Sequence, residues 1–497
     1  MTDGRNAPNP LLDAFAPFIP LPDMPAKLLF EPLSQVPWRE MRPSAREEFL
    51  SLHLDHFFPT ATATDIAIRV HAAVLASIRR RNPLSAAEQK RINQLSLMQP
   101  GDLEVLPSLA CPASGGVVAG ITGMGKSSMA ARIAKVIAPT PVIVHAHSAT
   151  CGWSKLVQIP CLTVAFPTNG SRGALIVQFL AAIDELIGTD YAHRVRRLTI
   201  EAALVEVMKQ LSNHRVGLVI GDECQPDMFN GSRWYREFVM LMLWLMNLGI
   251  PLLLCGQPGA FDRLVAERQT CRRFSGIGIY ELHRAASTAD RWWEDEFIVG
   301  MLRFNLCDEI QGTEEIIKQS RSLSAGVPGY FANLWIEAQR VALRRGERTA
   351  TLTPSDLLTA ARSEPIHKIM LEAAEIEASA LHAASRQRSS NEDDASPGDK
   401  TGQARTFRAA DSRPDLVQSM VRKARREEER KQRLAANEAS RESINDATLT
   451  DDDLRLANSA LELLAGLDTF QTELPLGEAK KSPNSATDGG AAKSHRR

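Results

Sequence analysis

The segment at positions 120–127, Gly-Ile-Thr-Gly-Met-Gly-Lys-Ser, is the feature that most constrains the fold of this chain. It follows a short apolar stretch, 117–119, and precedes a run at 128–137 whose composition suits a helix. A G-x-x-x-x-G-K-[ST] pattern between a strand and a helix is a phosphate-binding loop. Its glycines let several backbone N–H groups point at one anion, and the helix N-terminus adds partial positive charge. The sequence therefore predicts a nucleotide site within an α/β fold.

Individual residues of this loop have predicted roles. We expect the Lys126 ammonium to reach the β- and γ-phosphates and the Ser127 hydroxyl to hold Mg²⁺. The predicted cofactor-binding residues of the loop and the first helical turn are Gly120, Thr122, Gly123, Gly125, Lys126, Ser127 and Ser128.

A second apolar stretch, 217–221, ends in two acids, Asp222 and Glu223. It is too short for a helix and is typical of a buried parallel strand. At the carboxyl end of such a strand, Asp222 is expected to hold Mg²⁺ and Glu223 to act as general base towards the attacking water. Together with the loop, this stretch predicts a site for ATP and Mg²⁺, with Ser127 and Asp222 as the metal-binding residues.

The length of 497 residues is too great for one compact core and indicates several domains. Alternating strand and helix patterns predict a parallel sheet covered by helices, with strand candidates at 117–121, 142–146, 161–166, 217–221 and 252–255. We predict an N-terminal helical, partner-binding region (1–110), an ATPase core (111–285), a helical lid (286–384) and a mostly disordered charged tail (385–497). Within the tail, the apolar stripe at 451–465 predicts a helix for docking on a partner.

Charge and cysteine content exclude some function classes. The net charge of −1 gives no global basic signature, so any contact with nucleic acid must come from local patches or from patches repeated by assembly. The 7 cysteines form no Cys-x-x-Cys pair, which indicates reduced thiols rather than a disulfide framework or zinc site. The polar, proline-containing start predicts no secretory signal, and with the reduced thiols this indicates a cytoplasmic location.

The apolar stretch 238–256 has nearly the length of a membrane span, but Asn247, Gly249 and Pro251 interrupt it. It is predicted instead to be a buried helix ending near Leu248, a glycine cap and a core strand. No contact with a membrane is expected.

Residues 120–273 resemble the AAA+ ATPases that regulate transposition, the TnsC/TniB group of Tns-type DNA transposons. The strongest similarity lies at 158–189, with the Pro-x-x-Gly-Ser turn at 167–171 and the Ile-Asp-Glu-Leu-Ile-Gly-Thr end at 183–189. Further similar segments are Val-His-Ala-His-Ser at 144–148, the sensor-1 strand Gly-Ile-Pro-Leu-Leu-Leu-Cys-Gly-Gln-Pro at 249–258, and the lid turn Gly-Val-Pro-Gly-Tyr at 326–330. The resemblance is thinner over 1–110 and absent after about 385.

The resemblance implies an AAA+ P-loop NTPase core with a small helical lid. It implies an ATPase that assembles in the ATP state on double-stranded DNA, as a ring or helical filament, and links a target-selection protein to the transposase. A neighbouring subunit supplies an arginine finger, for which Arg272 and Arg273 are the matching residues and Arg268 a less favoured one. Lys155, Ser171 and Arg172 match the DNA-facing loops, where contacts to phosphates do not read sequence.

Three departures from the family pattern affect the expected chemistry. Gln257 stands at the sensor-1 position, where Asn, Thr or Ser is usual, and is expected to orient water or the γ-phosphate. Gly221 replaces an aliphatic residue before Asp222, and the turn at 326–330 has no basic residue to serve as sensor-2 arginine. These departures predict slow, regulatory hydrolysis by a switch rather than a motor.

Two other functions fit the nucleotide site. One is an AAA+ initiator or loader-like ATPase, which a winged-helix or helix-turn-helix pattern after the lid would favour; the sequence shows none. The other is a signalling NTPase that switches an interaction scaffold without DNA, which repeats after the core would favour; none is present. No trio of acids indicates nuclease or transposase chemistry.

Overall fold

The structure is a computed structural model that describes residues 8–167, 171–226, 234–287 and 289–376. The predicted charged tail at 385–497 and its docking helix at 451–465 lie outside the described residues.

A five-stranded parallel sheet forms the centre of the fold, in the order β4-β5-β6-β1-β7. Its strands are β1 (Gly115–Gly120), β4 (Cys161–Ala165), β5 (Leu218–Cys224), β6 (Leu252–Gly256) and β7 (Gly278–Leu282). Because all five strands run in the same direction, their carboxyl ends lie along one edge, where ligands of open α/β sheets bind. This sheet, with helices on both faces, is the AAA+ P-loop fold predicted from the sequence.

Four short strands lie outside the central sheet. The strand predicted at 142–146 is not part of that sheet: β2 (Ile143–His145) pairs antiparallel with β3 (Leu156–Gln158) in a separate hairpin. In the lid, β8 (Glu309–Ile310) pairs with β9 (Thr351–Leu352).

Both faces of the sheet are buried at its three central strands, β5, β6 and β1. Successive residues of a strand point to opposite faces, so Val117 packs in one apolar cluster and Val118 in the other. The same division separates Leu254 from Cys255 on β6. This two-sided burial explains why β5 and β6 begin as unbroken apolar runs.

Helices cover the two faces of the sheet and build the lid. The N-terminal region and core contain α1 (Met24–Leu28), α2 (Pro43–Arg46), α3 (Ala61–Arg80), α4 (Ala86–Leu97), α5 (Lys126–Ile137), α6 (Arg172–Ile187), α7 (Tyr191–Val195), α8 (Ile200–Asn213), α9 (Tyr235–Asn247), α10 (Asp262–Ala266) and α11 (Arg268–Phe274). The lid contains a π-helical turn (Trp293–Ile298), α12 (Val299–Leu302), α13 (Thr313–Ser324), α14 (Pro328–Arg345) and α15 (Pro354–Ala361).

The N-terminal region contacts both the core and the lid. Arg132 of α5 donates hydrogen bonds to the carbonyl oxygens of Lys27, Leu28 and Leu29, at 2.9, 2.7 and 3.0 Å. Towards the lid, Arg46 pairs with Asp308 at 3.0 Å, and Glu47 accepts hydrogen bonds from two arginines of α14. The C-terminal end of α2 is therefore fixed to the lid, and α1 to the helix that follows the predicted phosphate loop.

Two apolar segments have the length of a membrane span. The stretch at 238–256 forms α9 and β6 with Gly249 at φ 86° between them, which confirms the predicted helix, cap and strand. Helix α3 has 20 residues and a mean hydropathy of 1.3, and 56% of its apolar window is buried in the protein. That is weak evidence for a span, because core helices of soluble proteins have the same properties.

Candidate nucleotide-binding site

The predicted phosphate loop connects the end of β1 to the start of α5, at the carboxyl edge of the sheet. Gly123 and Gly125 adopt φ 86° and 77°, in the left-handed region that favours glycine. At Gly123 a Cβ atom would also come within 2.9 Å of the Val327 side chain in the lid. The glycine pattern read from the sequence therefore corresponds to a backbone shape that other residues would strain.

Lys126 is folded back onto its own loop. Its Nζ donates to the carbonyl oxygens of Gly120 at 2.7 Å and Ile121 at 2.9 Å. Burial lowers the pKa of Lys126, while Cys255 and Asp222 nearby act in the opposite direction. The ammonium is thus held close to the acidic end of β5, and we expect a triphosphate to replace the two carbonyls as its partner.

The two acids of β5 lie at a β-bulge. Gly221 pairs with Leu254 and Cys224 with Gly256, so Asp222 and Glu223 together oppose the single residue Cys255. Bulges redirect side chains and are frequent next to active sites. Glu223 adopts φ 58° and is exposed, and its N–H donates to the Asp222 carboxylate at 2.9 Å. The backbone of Glu223 is therefore strained at the position predicted for the general base.

Gln257 follows β6 directly and is half-buried at the same edge of the sheet. Its N–H donates to the Cys224 carbonyl at 3.0 Å, which links the sensor-1 position to the strand of the two acids. The structure thus brings Lys126, Asp222, Glu223 and Gln257 to one edge.

The oxygen donors at this edge fit Mg²⁺. The Ser127 hydroxyl and the Asp222 carboxylate are hard ligands, and Mg²⁺ bound with a nucleotide uses one or two such groups plus phosphates and water. Among the described residues, no group of three or more His, Cys, Asp and Glu side chains could hold a metal ion. A metal here would therefore depend on the nucleotide.

A contact that the sequence did not reveal joins the lid to the loop. The N–H of Gly329, in the first turn of α14, donates to the Gly123 carbonyl at 2.8 Å. The 18-residue helix α14 thus begins against the phosphate loop, although the turn at 326–330 lacks a sensor-2 arginine. The sequence marked this segment only as a turn containing two glycines and a proline.

Arg268, Arg272 and Arg273 line a cleft of about 740 Å³, here called the arginine cleft, together with Pro112, Ala113, Ser114 and Gln269. In the described part of the chain, no hydrogen bond or ion pair engages these three guanidinium groups. Pro112–Ser114 precede β1, whereas the phosphate loop follows it. Since a strand of this length spans about 20 Å, the arginine cleft lies at the opposite edge from the loop of the same subunit.

The predicted DNA-binding residues belong to two segments of the chain, one before β3 and one after β4. Ser171 caps α6 by accepting a hydrogen bond from the Ala174 N–H at 3.3 Å. The Arg172 guanidinium lies 4.0 Å from the centre of the Trp234 ring and 3.8 Å from the Glu237 carboxylate. Lys155 is exposed before β3 and so precedes β4, whereas Ser171 follows β4.

Substituting Lys126 tests the nucleotide site directly. We expect Lys126→Ala to weaken MgATP binding roughly 10- to 100-fold, because a charged hydrogen bond contributes about 1.5–3 kcal/mol. Calorimetric titration of the full chain with ATP and Mg²⁺ measures this. Lys135→Ala is the matched control, since Lys135 is an exposed lysine on the same helix. Equal affinities of Lys126→Ala and the unchanged protein would contradict the assigned role.

Comparison with known proteins finds one family model that is similar to the core. A family model described as "Bacterial TniB protein" matches residues 108–283.

Similar solved structures include the ORC2 protein of Aeropyrum pernix, in ADPNP–ADP complexes. Its sequence identity to this chain is 15% and the TM-score is 0.36, with coverage of 57% of this chain and 70% of that chain. Another is the ORC1 protein of the same organism in complex with DNA, with 15% identity, a TM-score of 0.33, and coverage of 55% and 64%. With TM-scores below 0.5, these likenesses carry no functional argument. No curated protein matched the chain.

Proposed function

Because a model of the TniB family matches residues 108–283, we propose that the protein is an ATP-dependent regulator of DNA transposition. In the ATP state it assembles on double-stranded DNA without sequence preference, and it links a target-selection protein to the transposase. The observation that carries this proposal is the extent of the family match. It includes the phosphate loop, both acids of β5, Gln257, and Arg272 and Arg273.

The position of the arginine cleft supports assembly. Arg272 and Arg273 lie across the sheet from the phosphate loop of their own subunit and have no partner among the described residues. A second copy placed with its phosphate loop against this cleft would receive both guanidinium groups next to its γ-phosphate. The proposed active site therefore lies between two subunits of a ring or helical filament.

Hydrolysis within this composite site uses the residues of both subunits. Lys126 and the backbone of the loop hold the phosphates, and Ser127 and Asp222 are the groups that would hold Mg²⁺, which neutralises phosphate charge when bound. Glu223 takes the proton of the attacking water, and Gln257 orients that water or the γ-phosphate. The long side chain of Gln257 and the missing sensor-2 arginine support slow hydrolysis, as a regulatory switch requires.

Arg172 is the first residue that we propose as a DNA contact. Its guanidinium is held against Trp234 and near Glu237, at the carboxyl edge of the sheet where the nucleotide also binds. With a net charge of −1, one subunit offers little attraction to DNA, whereas an assembly repeats each arginine along the phosphate backbone. DNA binding then requires ATP, because assembly itself needs the nucleotide between subunits.

Lys155 is a second candidate for a DNA contact. The proposed location of the protein is the bacterial cytoplasm.

The test is binding to random-sequence duplex DNA with ATP, ADP or a non-hydrolysable ATP analogue, over a range of salt concentrations. We expect tight, sequence-indifferent binding that requires the triphosphate. Arg172→Ala should weaken binding equally for all sequences and reduce the salt slope by about 1 for each bound subunit. Arg194→Ala is the matched control, because Arg194 also lies over an aromatic ring, Tyr191, and pairs with an acid, Asp190.

The alternatives give different results in the same experiment. Nucleotide binding without DNA association in any state would reject the proposal in favour of a signalling switch. Preference for one duplex sequence over random sequence would favour an initiator-like ATPase.

A further inference from the structure

Four charged side chains form a buried cluster at the amino edge of the sheet, here called the buried arginine cluster. Their exposed fractions are 3% for Arg81, 3% for Glu88, 7% for Arg91 and 7% for Arg215. Arg81 follows α3, Glu88 and Arg91 belong to α4, and Arg215 precedes β5. Buried charges in proteins are normally paired. Three guanidinium groups against one carboxylate leave two positive charges without compensation.

Glu88 is already fully engaged. Arg91 donates to both of its carboxylate oxygens, from Nε and Nη2, each at 2.7 Å. Arg215 Nη1 donates to Oε1 at 3.2 Å. The Glu88–Arg91 pair is bidentate, with the Nε–Nη2 edge of the guanidinium facing the carboxylate, as strong arginine pairs are.

In Arg81, the corresponding Nε–Nη2 edge of the guanidinium group has no hydrogen-bond partner among the described residues. Its Nη1 donates to the Val216 carbonyl at 2.7 Å. Its Nε and Nη2 are buried and meet no acceptor within the described ranges, and the same is true of Arg215 Nε. Burial, assisted by the charge of Arg91, lowers the pKa of Arg81 to about 9, so the group is still charged at neutral pH. A charged bidentate edge is therefore enclosed in the protein without a counter-charge.

We propose that the Nε–Nη2 edge of Arg81 binds a small inorganic anion, for which chloride is the probe. One anion can accept hydrogen bonds from both donors and offset one of the two uncompensated charges. A small ion is favoured over an organic ligand because both donor nitrogens, Nε and Nη2, are buried. The anion would stabilise the junction of α3, α4 and the start of β5, away from the nucleotide site. This proposal does not depend on the proposed function.

The experiment is thermal unfolding of the full chain without nucleotide, at constant sodium concentration and ionic strength, with gluconate progressively replaced by chloride. We expect Tm to rise with chloride and to level off as the site fills. In Arg81→Met the chloride response should disappear, and Tm in gluconate should be equal to or higher than that of the unchanged protein, because an unpaired buried charge has been removed. Arg69→Met, which changes an exposed arginine of α3, should keep the full response.

Two results overturn the proposal: the same Tm of the unchanged protein in both salts, or a chloride response that persists in Arg81→Met. If Arg81→Met does not fold, anomalous diffraction from crystals of the unchanged protein grown with bromide tests whether an anion binds at Arg81. An anomalous peak beside Arg81 Nε and Nη2 supports the site. A carboxylate of the protein at that edge, or no bromide peak there, overturns it.

Discussion

Replacing both Arg272 and Arg273 by alanine is expected to lower kcat for ATP hydrolysis by about 10³-fold or more, the range measured for arginine fingers. The guanidinium groups neutralise charge that develops on the γ-phosphate held by the neighbouring subunit. ATP affinity of the isolated subunit should stay unchanged, because the arginine cleft lies about 20 Å from its own phosphate loop. Steady-state phosphate release at saturating ATP, with DNA present, measures the loss.

Mixing two inactive variants tests whether the arginines act across the interface. Lys126→Ala subunits retain both arginines, and Arg272→Ala/Arg273→Ala subunits retain the phosphate loop. In a mixed assembly, some interfaces combine an intact loop with intact arginines, so part of the activity should return. Absence of recovery at every mixing ratio would contradict a finger supplied in trans. Arg268→Ala is the control within the same cleft, and a loss as large as that of the double variant would reassign the finger.

Glu223→Gln is expected to slow hydrolysis by roughly 10²- to 10⁴-fold, the contribution typical of a general base, while ATP affinity is retained. The amide has nearly the same shape as the carboxylate but cannot take a proton from water. Single-turnover hydrolysis and the lifetime of the protein on DNA are the measurements, and the lifetime should increase because the ATP state persists. Glu281→Gln, at an exposed carboxylate on β7, is the control. Hydrolysis within a few-fold of the unchanged protein would assign activation of water to another residue.

The sequence predicted the nucleotide site because its determinants are local. The strand, glycine loop and helix around Lys126 are contiguous, and the apolar run before Asp222 indicates a buried strand by itself. Pairing partners are not local, which is why the strand predicted at 142–146 was assigned to the wrong sheet. Strand β7 was missed because every residue in it is only partly buried or exposed, so its Gly-Ile-Tyr-Glu-Leu sequence has no strong apolar pattern.

Other features depend on contacts between segments far apart in the chain. The bulge at Glu223 is visible only in the register of β5 against β6, and the contact of Gly329 with Gly123 joins the lid to the loop. Arg79, Arg80 and Arg81 are consecutive in the sequence, yet Arg81 alone is buried, at the C-cap of α3. No local pattern distinguishes these three arginines.

The packing of the N-terminal region against the central sheet limits how far the chain can be shortened. Leu11, Phe15, Met24 and Leu28 share an apolar cluster with Val118 and Ile133 of the matched segment, and Phe15 lies against Gly217 beside β5. Trimming the chain to 108–283 would uncover the part of one face of the central sheet that the N-terminal region covers beside α5. The segment that the TniB family model matches is thus smaller than the unit that shares this apolar cluster. A partner that binds the N-terminal region can contact only the surface of that region that faces away from the sheet. Substitutions on the surface that faces the sheet are constrained by the stability of the core.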